Sequence, residues 1–207
     1  MNNKAILAGT IISSPTFYTQ LKTGTVLFRT LMCVERTSGN EDILPVVFTK
    51  ELSPEFEIGA KMKITGRLQS RNNENHLDLF VRVYKIEQFE KYENHVELDG
   101  IICKGTIFRT TPFRRIITDA VLANNAPTAS SSYVPTIFWG KMAVLMSEAK
   151  IGEEYRTYGR FQSRTYLKNG EERICYEYSS NYAEKKGVTD ENINKVNEPW
   201  KLQGCTK

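Results

Sequence analysis

Leu77–Val83 alternates cleanly, with Leu77, Leu79, Val81 and Val83 on one side and Asp78, Phe80 and Arg82 on the other. A period of two belongs to a strand with one face buried. Lys61–Gln69 alternates in the same way, while Ala5–Ile12, Val26–Arg36 and Ile43–Phe48 are denser apolar runs rich in β-branched residues. Five strands are predicted from this part of the chain. A short helix is predicted between the third and fourth strands. It is clearest later in the chain as KMAVLMSEA (Lys141–Ala149), ahead of Ile151-Gly152 as a C-terminal stop.

The pattern occurs twice. GRLQSR (Gly66–Arg71) recurs as GRFQSR (Gly159–Arg164), and EIGAKMKITGR (Glu57–Arg67) matches KIGEEYRTYGR (Lys150–Arg160). PVVFTK (Pro45–Lys50) parallels PTIFWGK (Pro135–Lys141) with one residue gained, and LAGTII (Leu7–Ile12) parallels LDGIIC (Leu98–Cys103). Downstream, Leu77-Asp78-Leu79 is set opposite Tyr176-Glu177-Tyr178, after a longer hairpin in the second copy. Matches in one constant order predict two copies of one domain, 1–92 and 96–183, linked near Lys91–Val96 and followed by a tail, 184–207. Five strands with a helix between the third and fourth is the order of the OB-fold, a five-stranded Greek-key barrel. The predicted fold class is therefore all-β, two tandem OB barrels with one short helix each. Gly9, Gly66, Gly100 and Gly159, in or beside strands, suit the bends that close a small barrel.

The 207 residues are 40% hydrophobic and 25% charged, which excludes a disordered chain. No apolar run approaches the roughly 20 residues that cross a bilayer. MNNKAILAGTI has neither the apolar core nor the cleavage site of a secretion signal, so a cytoplasmic protein is expected. Cys33, Cys103, Cys175 and Cys205 lie far apart without a CxxC pair, and free thiols are expected rather than a metal site. His76 and His95 read as solvated hairpin and linker residues. There is no G-x-S-x-G elbow, phosphate loop or metal-ligand cluster, so neither catalysis nor a cofactor is expected. The net charge of +4 permits a polyanionic partner without demanding one. Residues 1–95 carry 12 basic and 11 acidic side chains and residues 96–183 carry 11 and 9, so local placement decides.

Three segments carry a more specific signal. PTIFWGKMA, GRFQSRTYLKNGEERICYEY and NKAILAGTIISSPTF resemble the third strand and helix, the fourth-to-fifth-strand hairpin, and the opening strand of bacterial single-stranded DNA-binding proteins of the tetrameric OB-fold type. The resemblance covers most of the chain and implies binding of single-stranded DNA with little sequence preference, during replication, recombination or repair. It carries stacking roles to Trp139 at the third-strand end, to Tyr166 after the GRFQSR motif, and to Tyr133. In the first copy Phe48 alone keeps such a place, with Asp42 and Asn73 where the other aromatics would stand. Arg67, Arg71, Arg160, Arg164, Lys50, Lys141 and Arg173 are the implied phosphate contacts. Aromatic faces accept any base, and a guanidinium both stacks and forks onto phosphate. Stacking does not read the 2′-hydroxyl, so RNA is admitted as well. Phe80, Tyr84, Tyr176 and Tyr178 alternate within strands and read as core or subunit packing.

Family members mostly carry one barrel per chain and form tetramers, so a two-barrel chain implies a homodimer with four barrels. The origin expected is a bacterial, phage or plasmid gene. The tail departs from the family. EPWKLQGCTK is not an acidic tip, so recruitment of replication and repair proteins by that route is expected to be absent, and Trp200 reads as a barrel contact or a different one. The alternative functions are a primosomal or conjugation-linked accessory protein, or a protein-interaction scaffold with weak or no DNA binding.

Overall fold

The computed structural model describes residues 1–73, 76–125, 131–168 and 170–187. The first half contains β1 (Asn3–Ile11), β2 (Thr16–Gln20), β3 (Val26–Glu35), β4 (Glu41–Thr49), a 3₁₀ helix (Lys50–Glu55), β5 (Lys61–Asn73) and β6 (His76–Gln88). The second contains β7 (Glu93–Ile102), β8 (Ile107–Thr110), β9 (Ile116–Asn124), β10 (Ser132–Trp139), α1 (Lys141–Ser147), β11 (Glu154–Lys168) and β12 (Glu171–Lys185).

In the first half β1 pairs with both β3 and β5, β3 pairs with β4, β5 with β6, and a parallel β4–β6 pairing closes the ring. The second half repeats this with β7, β9, β10, β12 and β11. Both halves are five-stranded OB barrels. Each also has an edge strand outside the ring, β2 on β3 and β8 on β9. TFYTQ and IFRT show no alternation because neither strand is fully buried on one face: IFRT is exposed throughout, and TFYTQ half-buries only Tyr18 and Thr19. The first half has a 3₁₀ helix in place of the expected α-helix, with Pro54 inside it; proline removes a helical donor and crowds the preceding turn. Only residues 89–92 separate β6 from β7, and Val96, expected in a linker, lies within β7. β12 extends to Lys185, so the predicted tail begins inside a strand; residues 188–207, Trp200 among them, lie outside the described residues.

The barrels join through β1 and β7, which pair antiparallel with Ala5 opposite Val96, Asn3 opposite Leu98 and Leu7 opposite Asn94. Since Leu7 and Leu98 are repeat counterparts, each strand meets its own copy about a local two-fold axis at Ala5 and Val96. Side chains obey the same symmetry. The Asn3 amide donates to the Leu68 carbonyl and accepts from the Leu68 N–H, both at 2.9 Å. Asn94 does the same to Phe161, at 2.6 and 3.0 Å. Ser70 Oγ accepts the Tyr133 N–H of the other barrel at 2.7 Å, and Ser163 Oγ accepts the Ile43 N–H at 3.0 Å. The serine of each GR-x-Q-S-R motif is thus a clasp between barrels.

One buried cluster runs through both halves, including Leu7, Phe48, Ile64 and Leu68 in the first and Leu98, Phe138, Phe161 and Tyr178 in the second. Val81 faces Leu68 as Tyr178 faces Phe161, so Tyr178 is the counterpart of Val81. The sequence alignment of Leu79 with Tyr178 is two residues out of register, a shift that a period of two conceals. At Gly66 and Gly159 the pairing slips, and a methyl group there would overlap the Arg82 or Ser179 carbonyl. Cys33 and Cys103 are free thiols, whereas Cys175 is disulfide-bonded, against the expectation for all four.

Candidate nucleic-acid interface

On β10 the alternation turns Phe138 inward and leaves Trp139, the last strand residue, on the outer face. The indole Nε1–H donates to Ser179 Oγ at 3.0 Å, which fixes the ring's orientation. Beside it rises the β8–β9 hairpin. Its turn is closed by Thr111 N–H to Arg115 O at 2.8 Å and Arg114 N–H to Thr111 O at 2.9 Å. Arg114 has φ 58°, in the left-handed region, where the matching turn of the first barrel uses Gly24 at φ 86°. This turn projects Phe113, 88% exposed. Trp139, Phe113, Ile117, Ile137 and Tyr158 line an open groove of about 1060 Å³.

Five arginines complete the groove: Arg36, Arg109, Arg115, Arg160 and Arg164. Glu177 is the one carboxylate among its described lining residues; it accepts from Gln162 Nε2 at 2.7 Å and lies 3.6 Å from Arg164 Nε. Arg109 is held by Asp119, and Arg36 by Asp42. Among the described residues Arg160 hydrogen-bonds only the neutral Gln162, at 3.2 and 3.4 Å. Burial, and then the nearby Arg36, push its guanidinium below the usual range, with Asp42 opposing. The groove is cationic, half-apolar and open, which suits an anion carrying flat rings.

The structure brings Trp139, Arg160 and Arg164 together. Tyr166 lies further out on β11, half-buried, with the Arg164 guanidinium 5.9 Å from its ring centroid. Arg173 is its cross-strand neighbour and pairs with Glu171 at 3.2 Å. Lys141 is exposed at the start of α1. In the first barrel Arg67 is exposed, Arg71 covers the Tyr18 ring at 5.9 Å, and Lys50 borders a separate open recess of mixed polarity with Phe28, Pro54 and Glu57.

Two expected platforms are corrected. Phe48 is 0% exposed and stacks on Phe56 with centroids 3.7 Å apart, so it offers no face to a base. Its counterpart is Phe138; the residue at the Trp139 position is Thr49, as the pairings Leu27–Thr49 and Ile117–Trp139 show. Tyr133 is 7% exposed, covered by Val121, Ala123 and Cys103; the small Ala123 opposite leaves room for the ring. Sequence reasoning missed Phe113, Arg109, Arg115 and Arg36. TPFRR (Thr111–Arg115), an aromatic between proline and two arginines, was the legible signal; Arg36 had none.

Among the described residues no cluster of His, Cys, Asp and Glu could hold a metal ion, and no helix is long and apolar enough to cross a membrane. No family model and no curated protein sequence matches the chain. Among solved structures, it is similar to the wild-type single-stranded DNA binding protein from Thermus aquaticus, with a TM-score of 0.71 and 18% identity over 98% of this chain and 97% of that one. A deletion mutant of the same Thermus aquaticus protein gives a TM-score of 0.70 and 20% identity over 89% and 94% of the two chains. At these identities what the chains share is the fold, along nearly their whole lengths.

Proposed function

We propose that this chain binds single-stranded DNA with little sequence preference, chiefly through the second barrel. One observation carries the reading: an exposed phenylalanine and a half-buried tryptophan border one groove that five arginines line. Trp139 and Phe113 are the stacking faces, with Tyr166 extending the track along the hairpin. Arg160, Arg164, Arg115 and Arg109 meet phosphates, and Lys141, Arg173, Arg67, Arg71 and Lys50 add a more diffuse attraction. A full-length likeness to a protein called single-stranded DNA binding supports the reading. The role proposed is protection of exposed strands in the cytoplasm during replication, recombination or repair. Two units, 1–92 and 96–183, act in each chain, as a homodimer with four barrels.

Oligo-dT quenching of tryptophan emission tests this, with Trp139→Phe as the control for the remaining indole. Strong quenching by oligo-dT, weak quenching by duplex and a steep fall with salt are expected. In the first barrel Tyr18 packs edge to face on Phe80 and donates to Asp78, and this self-filled face favours a second reading, a protein-interaction scaffold. That reading gains if the signal does not change and no complex is retarded in a gel.

A further inference from the structure

We infer that the groove crosses the barrel junction, where Arg36 of the first barrel and Arg160 of the second form one shared seat for a backbone phosphate. The inference rests on the single-strand reading above. Arg36 follows β3, yet it lines the same groove as Arg160 and Asn94. Its Nε donates to Asp42 Oδ2 at 2.7 Å, and Asp42, fully buried, accepts the Ser163 N–H at 3.0 Å through Oδ1. A cation of one barrel is thereby fastened to the GRFQSR strand of the other. Asp42 acts on both guanidiniums and Glu177 on Arg36, while Arg160 hydrogen-bonds Gln162 and, among the described residues, no carboxylate. Arg36, Asp42 and Arg160 together leave one positive charge half out of water. Such a charge is costly without a counter-ion, and the planar guanidinium fork fits phosphate oxygens. A strand lying on Trp139 therefore meets a pre-positioned phosphate seat as it leaves the second barrel for the first.

The test is an anisotropy titration of the full chain with oligo-dT from about 4 to about 16 nucleotides, the range of single-barrel sites, at several salt concentrations. The variants are Arg160→Gln and the double Arg36→Gln/Asp42→Asn, which leaves no buried unpaired carboxylate; thermal melts confirm folding. For the longest oligonucleotides each variant should bind about 3- to 10-fold more weakly, and Arg160→Gln, which removes the net charge of the seat, should also make the salt slope shallower by about 0.7 for each phosphate no longer neutralised. The double variant removes one charge of each sign, so it should lose affinity with its slope unchanged, and the shortest oligonucleotides should bind it as they bind wild type. An unchanged slope for Arg160→Gln at every length, or an equal loss for the double variant at every length, would overturn the shared seat while leaving single-strand binding intact. Failure of the wild-type chain to bind any oligonucleotide would reject the single-strand reading and this inference with it.

Discussion

On the first barrel Tyr18 and Phe80 meet edge to face at 5.3 Å over the buried Leu27 and Val47. The Tyr18 hydroxyl donates to Asp78 at 2.8 Å, Arg29 pairs with the same carboxylate, and Arg29 and Arg71 both cover the Tyr18 ring. Burial, then Asp78, push the Tyr18 phenol well above its usual range, so it stays a neutral donor. On the second barrel Glu177 takes the Phe80 position, Asp119 that of Arg29, Trp139 that of Thr49 and Ser179 that of Arg82. The same scaffold thus carries a face filled by its own side chains and a face left open. A few cross-strand partners decide which. Where ring, carboxylate and guanidinium satisfy one another the surface closes; where a tryptophan is pinned by a serine and Arg160 hydrogen-bonds no carboxylate among the described residues, it stays open.

The sharpest way to break this contrast is Trp139→Ala with Tyr166→Ala. Affinity for oligo-dT should drop by about 2–6 kcal/mol, at about 1–3 kcal/mol per stacked base, with no comparable change in the melting temperature. A Kd within threefold of wild type would reject the assignment. Phe48→Ala should do the opposite. Loss of a stacked core ring costs about 3–5 kcal/mol of stability, read by urea unfolding, and affinity of the folded fraction should hardly move. Phe113→Ala comes next, with about 1–3 kcal/mol lost in binding and an unaltered melt, because the ring is exposed.

Acid should loosen the second half first. Burial alone would raise the Asp99 carboxyl, but hydrogen bonds from Arg156, Lys186 and the Asn2 N–H outweigh it and hold it at about 2. The folded carboxyl binds a proton less readily than the unfolded one, whose value is 3.8. Its contribution is full above the unfolded value and disappears as pH falls through about 2. Melts across that window should show an acid-dependent loss that Asp99→Asn flattens. The counterpart in the first barrel is Ala8, which has no such dependence. The smallest effect sits in the two hairpin turns. Arg114→Gly should stabilise by up to about 1 kcal/mol, since an L-residue in the left-handed region costs about 1–2 kcal/mol and glycine returns part of that in entropy. Gly24→Ala should destabilise by about as much, although nothing lies within 4 Å of the added methyl group.

The alternating and repeated segments gave away both barrels, and the resemblance of GRFQSR and PTIFWGK led to Trp139, Arg160 and Arg164. Phe48 and Tyr133 were misassigned for separate reasons. Aligning PVVFTK with PTIFWGK by aromatic rather than by register put Phe48 where Thr49 belongs, and the strand period then turned it inward. Tyr133 follows a run of serines that reads as loop, yet Ser132–Trp139 is a strand whose neighbours Val121 and Ala123 accept the ring. β2 and β8 escaped because edge strands in water need no apolar face.

What the linear chain determined by itself is local or periodic: strand pattern, duplication, the glycines at the strand slips and the residue types suited to bases and phosphates. What tertiary structure alone decided is which of two homologous faces is open, and that Arg36 joins the second barrel's groove. Those outcomes depend on pairings between residues scores of positions apart, set by the antiparallel meeting of β1 with β7. A one-dimensional pattern carries the period of a strand but not the identity of its neighbour.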